Sequence, residues 1–164
     1  MEYSFDIYKT ISSDEFKKRE HNIQKGLSAL REQGVVCAID DIKDDDLKKD
    51  IHKYCGYMDG VGILVMEHMI NPEVFFYKAG LGLLRTFFLL KPYLEITRLK
   101  RKTYATHDIE DVLVDQLIGN SVQLYYAHLE LLALELRRQG GNMIQEIDDK
   151  LEKARKHRKV IKEP

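Results

Sequence analysis

The sequence predicts an all-α bundle of four to six helices. Long segments carry apolar residues at spacings of three and four, helix caps stand at the segment ends, and prolines are scarce. Only Pro72, Pro92 and Pro164 occur in 164 residues. The expected centre is a long antiparallel hairpin of about residues 44–70 and 72–100. This length suffices for one core and one domain, so residues 1–164 are read as a single helical domain. With 44% hydrophobic and 32% charged residues, the chain belongs with globular rather than disordered sequences.

The first expected helix opens at Ser12-Ser13-Asp14-Glu15, read as a capping box with Ser12 as N-cap and Glu15 three residues on. Phe16, Ile23, Leu27 and Leu30 then share one face, and Gly34 suits the stop. The run Val35 to Ile39 fits either a buried connector or one extended piece. A second helix starts near Asp44 to Asp46, whose charges favour the positive end of the helix dipole. Leu47, Ile51, Tyr54, Met58, Val61, Val65 and Met69 form its seam. Asn71-Pro72-Glu73 then supplies an N-cap, a first-turn proline and an acid. The third helix runs past Pro92, where the missing N–H implies a kink, into the basic stretch Arg98 to Lys102. A fourth starts near Thr106 to Asp108 and reaches Gln139, with a break at Gly119-Asn120-Ser121. Gly140-Gly141 ends it, and Asn142 with Gln145 opens a last amphipathic helix whose basic end frays from about residue 155 to 164.

The stretch Gly56-Tyr-Met-Asp-Gly60-Val-Gly62 invites two readings. A phosphate loop lies between a strand and a helix start and, in its Walker form, ends in Lys-Ser/Thr. Here Ile63-Leu64 follow and helical periodicity runs through, so the glycines are read as close-packing residues. Positions equidistant from the Asn71-Pro72 reversal share a height, which pairs Gly60 with Gly82 and Gly62 with Gly80. By the same geometry Asp59 faces Arg85 in a partly buried ion pair, the two differing in height by roughly 3 Å, with Arg98 kept as an alternative partner.

Net charge is −1, so no global field selects nucleic acid or acidic lipid. Asp40, Asp41, Asp44, Asp45 and Asp46 form an acidic cluster, and Lys150 to Lys162 a basic end. The two could pair between chains. The basic end reads as a solvated tail, with RNA or peripheral contact with an anionic membrane as alternatives. The two cysteines, Cys37 and Cys55, fit neither a disulfide framework nor a zinc site, and no signal peptide or membrane span is evident; a cytoplasmic protein is expected. Cys55 reads as a small core residue.

Candidate chemistry is sparse. Arg101 and His107 have the Arg-x4-6-His spacing of HEPN-type ribonucleases, which are also helical bundles. The intervening Lys-Thr-Tyr-Ala-Thr reads instead as a connection, with His107 near an N-cap. No Glu-x-x-His pair, Ser-His-Asp or Cys-His set can be assembled, so no metal, cofactor or catalytic residue is assigned. His21, His52 and His157 lie among charged residues.

Three segments together resemble an all-helical bacterial domain family of unknown function, often the cytoplasmic part of membrane-attached proteins. They are Ile11 to Arg19, Tyr57 to Val65, and Phe76 to Gly80 with Leu90 to Arg98. Asp59 stands where that family usually has glutamate, Phe87 or Phe88 replaces a tryptophan, and no membrane helix is attached. The resemblance spans about residues 10–105 and brings no activity. It implies that Asp59, Gly62, Gly80, Pro92 and Arg98 share one structural core. The resulting expectation is a non-catalytic module that binds a protein partner or self-associates, with the ribonuclease and membrane-surface readings as alternatives.

Overall fold

A computed structural model describes residues 2–105 and 126–160, and no strand occurs among them. Helix α1 is Glu2–Ile11, α2 is Asp14–Glu32, α3 is Asp45–Met66 and α4 is Pro72–Phe75. A π-helical turn, Phe76–Gly80, leads directly into α5, Leu81–Ala105, and α6 is Ala127–Val160. The all-α class holds. Residues 106–125, including His107 and the expected break at Gly119, lie outside the described residues.

The caps explain where the helices begin and end. Ser13, not Ser12, caps α2: its Oγ accepts from the Phe16 N–H at 3.2 Å. Glu15 therefore closes no capping box and instead meets Arg19 at 2.8 Å. At the other end Gly34 takes φ +70, and the Val35 N–H reaches the Leu30 carbonyl at 2.8 Å. That is the left-handed stop glycine favours. Asp44 caps α3 through the Leu47 N–H at 3.0 Å, and Asn71 caps α4 through the Glu73 N–H at 2.9 Å. The α3 stop uses His68 at φ 58, so the chain turns before Met69, which is exposed rather than part of the seam.

Two helices depart further from the sequence expectation. Helix α1 precedes the first expected helix and packs on α2, with Ile11 buried. Helix α6 runs unbroken through Gly140-Gly141 to Val160. Gly140 serves as a close-approach position there: a Cβ on it would stand 3.0 Å from Cζ of the buried Phe76. The same ring would lie 2.5 Å from a Cβ on Gly80. Phe76 thus occupies a slot between two glycines, tying the π turn to α6.

The bundle is a ring in which α3 packs most extensively on α6 and also on α2, while α5 packs on α2 and α6. Helices α3 and α5 are consequently diagonal. They run in opposite senses, as expected of the chain reversal at Asn71. Glu20 lies between Tyr54 of α3 and Thr86 of α5, and Asp40 and Asp41 ahead of α3 meet Arg101 and Lys100 late in α5. However, α2 and α6 stand between them, so the two segments are not packing neighbours. The core includes Ile23, Ile51, Met58, Leu83, Leu90, Leu132 and Leu136, and Phe16 stacks on Tyr54 at 5.3 Å.

The connector from α2 to α3 is held by side chains of α5. Tyr93 donates its hydroxyl to the Val35 carbonyl at 2.9 Å. Thr97, fully buried, accepts the Ile39 N–H at 2.8 Å and donates to the Tyr93 carbonyl at 2.7 Å. Replacing Thr97→Val keeps the shape but strands a buried N–H. Chemical denaturation is expected to show a loss of about 1–3 kcal/mol, whereas an unchanged midpoint would show that the connector is not anchored there.

Candidate functional site

The glycine-rich segment of α3 receives the start of α6. Asp59 accepts the Leu129 N–H at 2.9 Å, and its other oxygen lies 3.6 Å from His128 Nδ1. A carboxylate supplied by another helix thereby fills the place of a local N-cap, where unpaired N–H groups and the helix dipole favour negative charge. One turn along, a Cβ on Gly62 would fall 2.3 Å from the His128 carbonyl oxygen. Gly62 must lack a side chain for α6 to approach at all.

This arrangement replaces the expected pairings. Asp59 does not meet Arg85, which is exposed, nor Arg98, which binds Glu130 of α6 at 2.8 Å. Gly60 points into open space, Gly62 faces α6 rather than Gly80, Gly80 faces Phe76, and Gly82 faces Glu20 of α2. Close packing is correct for Gly62, Gly80 and Gly82, but the neighbours differ because α3 and α5 are diagonal. The acidic cluster is likewise used within the chain: Asp40 lies 3.3 Å from Arg101 and 3.4 Å from His52, and Asp41 pairs with Lys100. Asp44 is a cap and Asp45 meets Lys48 at 2.8 Å.

Arg101 of the Arg101/His107 pair therefore faces a carboxylate rather than an open phosphate site, and His107 lies outside the described residues. Among the described residues no cluster of metal-ligating side chains occurs, and no helix is long and apolar enough to cross a membrane. Both cysteines are free. Burial pushes the Cys55 thiol far above its usual range, consistent with a core residue and not with a nucleophile.

A concavity of about 410 Å³ lies where α2 meets the π turn, bounded by Phe16, Lys17, Glu20, Tyr77, Leu81 and Gly82 among others. The Ser13 cap sets the start of α2 and so the phase that turns Glu20 inward. On the opposite wall, the π turn fits an extra residue into one turn, with Phe76 buried and Tyr77 outside. Such turns recur at functional sites. Glu20 Oε1 accepts the Tyr54 hydroxyl at 2.9 Å and lies 3.4 Å from the Thr86 Oγ1. Thr86 in turn accepts from Gln24 at 2.8 Å and lies 2.9 Å from the Gly82 carbonyl. Gly82 leaves the carboxylate its space, since a Cβ there would be 2.7 Å from Oε2.

Partial burial raises the Glu20 carboxyl, with the hydrogen bonds from Tyr54 and Thr86 opposing that rise. Tyr54, almost wholly buried, is pushed well above the usual phenol range by desolvation and then by Glu20. A phenol, a hydroxyl and an amide surround the acid, with no second carboxylate, histidine or thiol among its hydrogen-bond partners. The cluster can fix helices and present a polar wall to the cavity; it does not supply an acid–base pair. This network is nearly silent in the sequence. Its one visible signal is that Thr86, Tyr93 and Thr97 fall on the apolar phase of α5.

The exposed side of α5 continues from the cavity rim. Tyr77 is 65%, Leu81 73%, Phe88 43% and Leu99 66% exposed. From Leu81 onward these positions, with Pro92, share one helical face.

Two measurements test this description. Gly60→Ala is expected to raise stability by up to about 1 kcal/mol, because the added methyl meets nothing and alanine favours helix. Gly62→Ala should lower it by about 1–3 kcal/mol through overpacking; equal effects in urea unfolding would contradict the α6 seat. A carboxyl raised in the folded state stabilises fully below its unfolded pKa and loses that contribution as pH rises through its folded pKa. The stability of Glu20→Gln relative to the parent should therefore climb from about pH 4 upward, and a difference independent of pH would refute the desolvated carboxyl.

No protein-family model, curated protein or solved structure matches the chain, so the family resemblance rests on its short motifs alone.

Proposed function

We propose that the protein is a non-catalytic, cytoplasmic interaction module that docks another polypeptide along α5. The observation that carries this reading is the pair of large apolar side chains exposed on one face of that helix, Leu81 and Phe88, with Tyr77 just ahead. Large apolar side chains exposed beside a concavity are characteristic of binding faces. Helical partners recognise such faces through anchors spaced three, four and seven residues apart. The cavity beside Tyr77 and Leu81 offers the kind of pocket in which a central anchor side chain contributes most. The two free cysteines support a reducing compartment.

A photo-crosslinking residue at Tyr77 tests this in cells. It is expected to yield adducts with polypeptide, which Leu81→Asp diminishes while purified Leu81→Asp melts within about 0.5 kcal/mol of the parent, as an exposed site should. The same probe at exposed Lys49 should yield none. Absence of any Tyr77 adduct would end the interaction reading.

A further inference from the structure

We infer that the cavity between α2 and the π turn receives an arginine side chain of the docked polypeptide, from a segment that carries acidic residues beside that arginine. This rests on the interaction reading above and assigns the chemistry of the partner.

Glu20 is the group that calls for a cation. It is half-buried, and it makes no ion pair among the described residues. Tyr54 donates to its Oε1 at 2.9 Å. The single hydroxyl proton of Thr86 stands nearer another acceptor, since Oγ1 is 2.9 Å from the Gly82 carbonyl and 3.4 Å from Glu20 Oε1. Oε2, the oxygen beside Gly82, accepts no hydrogen bond among the described residues. An ionised carboxylate offers about four acceptor sites, so this one is short of donors. A part-buried charge without a counter-charge is costly, and a cation that supplies both charge and N–H groups relieves it. Glu20 and Gly82 both line the cavity, so a side chain entering there comes to the under-bonded oxygen.

The remaining walls select a guanidinium over other cations. Phe16, Phe76 and Tyr77 line the same space. The Phe76 and Tyr77 rings meet edge-on, with centroids 6.4 Å apart and planes at 73°. Phe16 is held by its stack on Tyr54, and Phe76 by Gly80 and Gly140, so these rings are fixed in advance. A guanidinium is planar, stacks on aromatic faces, gives up its hydration more readily than an ammonium and carries several donors to a carboxylate. The volume of about 410 Å³ falls within the usual range of ligand pockets.

Lys17 and Lys78 also line the cavity; both are exposed, and neither makes an ion pair among the described residues. They belong to the rim, whereas Glu20 lies deeper. Carboxylates on either side of the arginine match that arrangement, with the acid of the cavity inside and its two cations outside. A uniformly basic segment meets repulsion at the rim, which discriminates against it.

Titration of the full chain with blocked tripeptides, followed through its amide resonances, tests the assignment. Asp-Arg-Asp is expected to shift the amides of Tyr77, Leu81 and Gly82. Replacing its arginine with citrulline, of the same shape without the charge, should weaken binding about tenfold or more, and lysine should also bind more weakly. Glu20→Gln, with circular dichroism as the folding control, should lose about tenfold for Asp-Arg-Asp while binding the citrulline peptide as the parent does; a general distortion of the cavity would weaken both. The exposed pair Lys17→Glu and Lys78→Glu gives a second arm that leaves the core untouched. It should weaken Asp-Arg-Asp and strengthen Ser-Arg-Ser. Absence of shifts around the cavity with Asp-Arg-Asp, a citrulline or lysine peptide bound as tightly, or Glu20→Gln binding as the parent does would each overturn the inference. A Tyr77 adduct with polypeptide in cells would then leave the interaction reading standing.

Discussion

The approach of α6 to α3 at Gly62 is the contact on which the rest of the bundle depends. A helix can come this near only where its neighbour has no Cβ, and Asp59 one turn earlier compensates the amide exposed by that helix start. Once α6 is seated, Arg98 reaches Glu130 and Phe76 finds Gly140, so α5 and the π turn are positioned from the same helix. The diagonal relation of α3 and α5 is a consequence. Two long helices joined through a short segment would pack directly if nothing else competed for their inner faces, but α6 and α2 do compete.

A second set of constraints is polar. Thr86 and Thr97 are fully buried on α5 and each is bonded on both sides of its hydroxyl group. Such groups contribute modestly while satisfied and are costly when unpaired, so they select one register over its neighbours more than they add stability. Glu20 belongs with them. Its carboxyl is part-desolvated at the edge of a cavity, which makes it a structural acid with one side open, next to a π turn that shapes the rim.

Local features were legible in the sequence because their causes lie within a turn or two. Asp44, Asn71 with Pro72, and Gly34 act through nearby backbone groups, and all three do what their residue types suggest. The Leu47-to-Val65 seam is buried throughout, since periodicity alone decides which side of α3 turns inward. Partner choice is different. A glycine announces close approach, but any neighbour can provide the approaching atoms: Gly62 meets α6 rather than α5, and Asp59, expected to pair with an arginine, caps α6 instead. Gly140-Gly141 shows the same ambiguity, because a glycine that stops a helix and one that admits a ring are identical in sequence. Helix α1 was missed although Tyr8 and Ile11 have helical spacing, as the Ser12-Ser13 signal masked it. The π turn leaves no local signature beyond Gly80.

Among the described residues, titratable groups serve caps, interhelical pairs and one part-buried network, while Leu81 and Phe88 stand exposed on α5. The direction in which Gly62 points decides the arrangement of the bundle, and proton–proton Overhauser contacts measure it directly. The structure predicts strong contacts from the Gly62 α-protons to His128 and to the Leu129 amide, and none to Gly80. Contacts to Gly80 without any to His128 or Leu129 would contradict it, and would restore a directly packed hairpin in place of the diagonal ring.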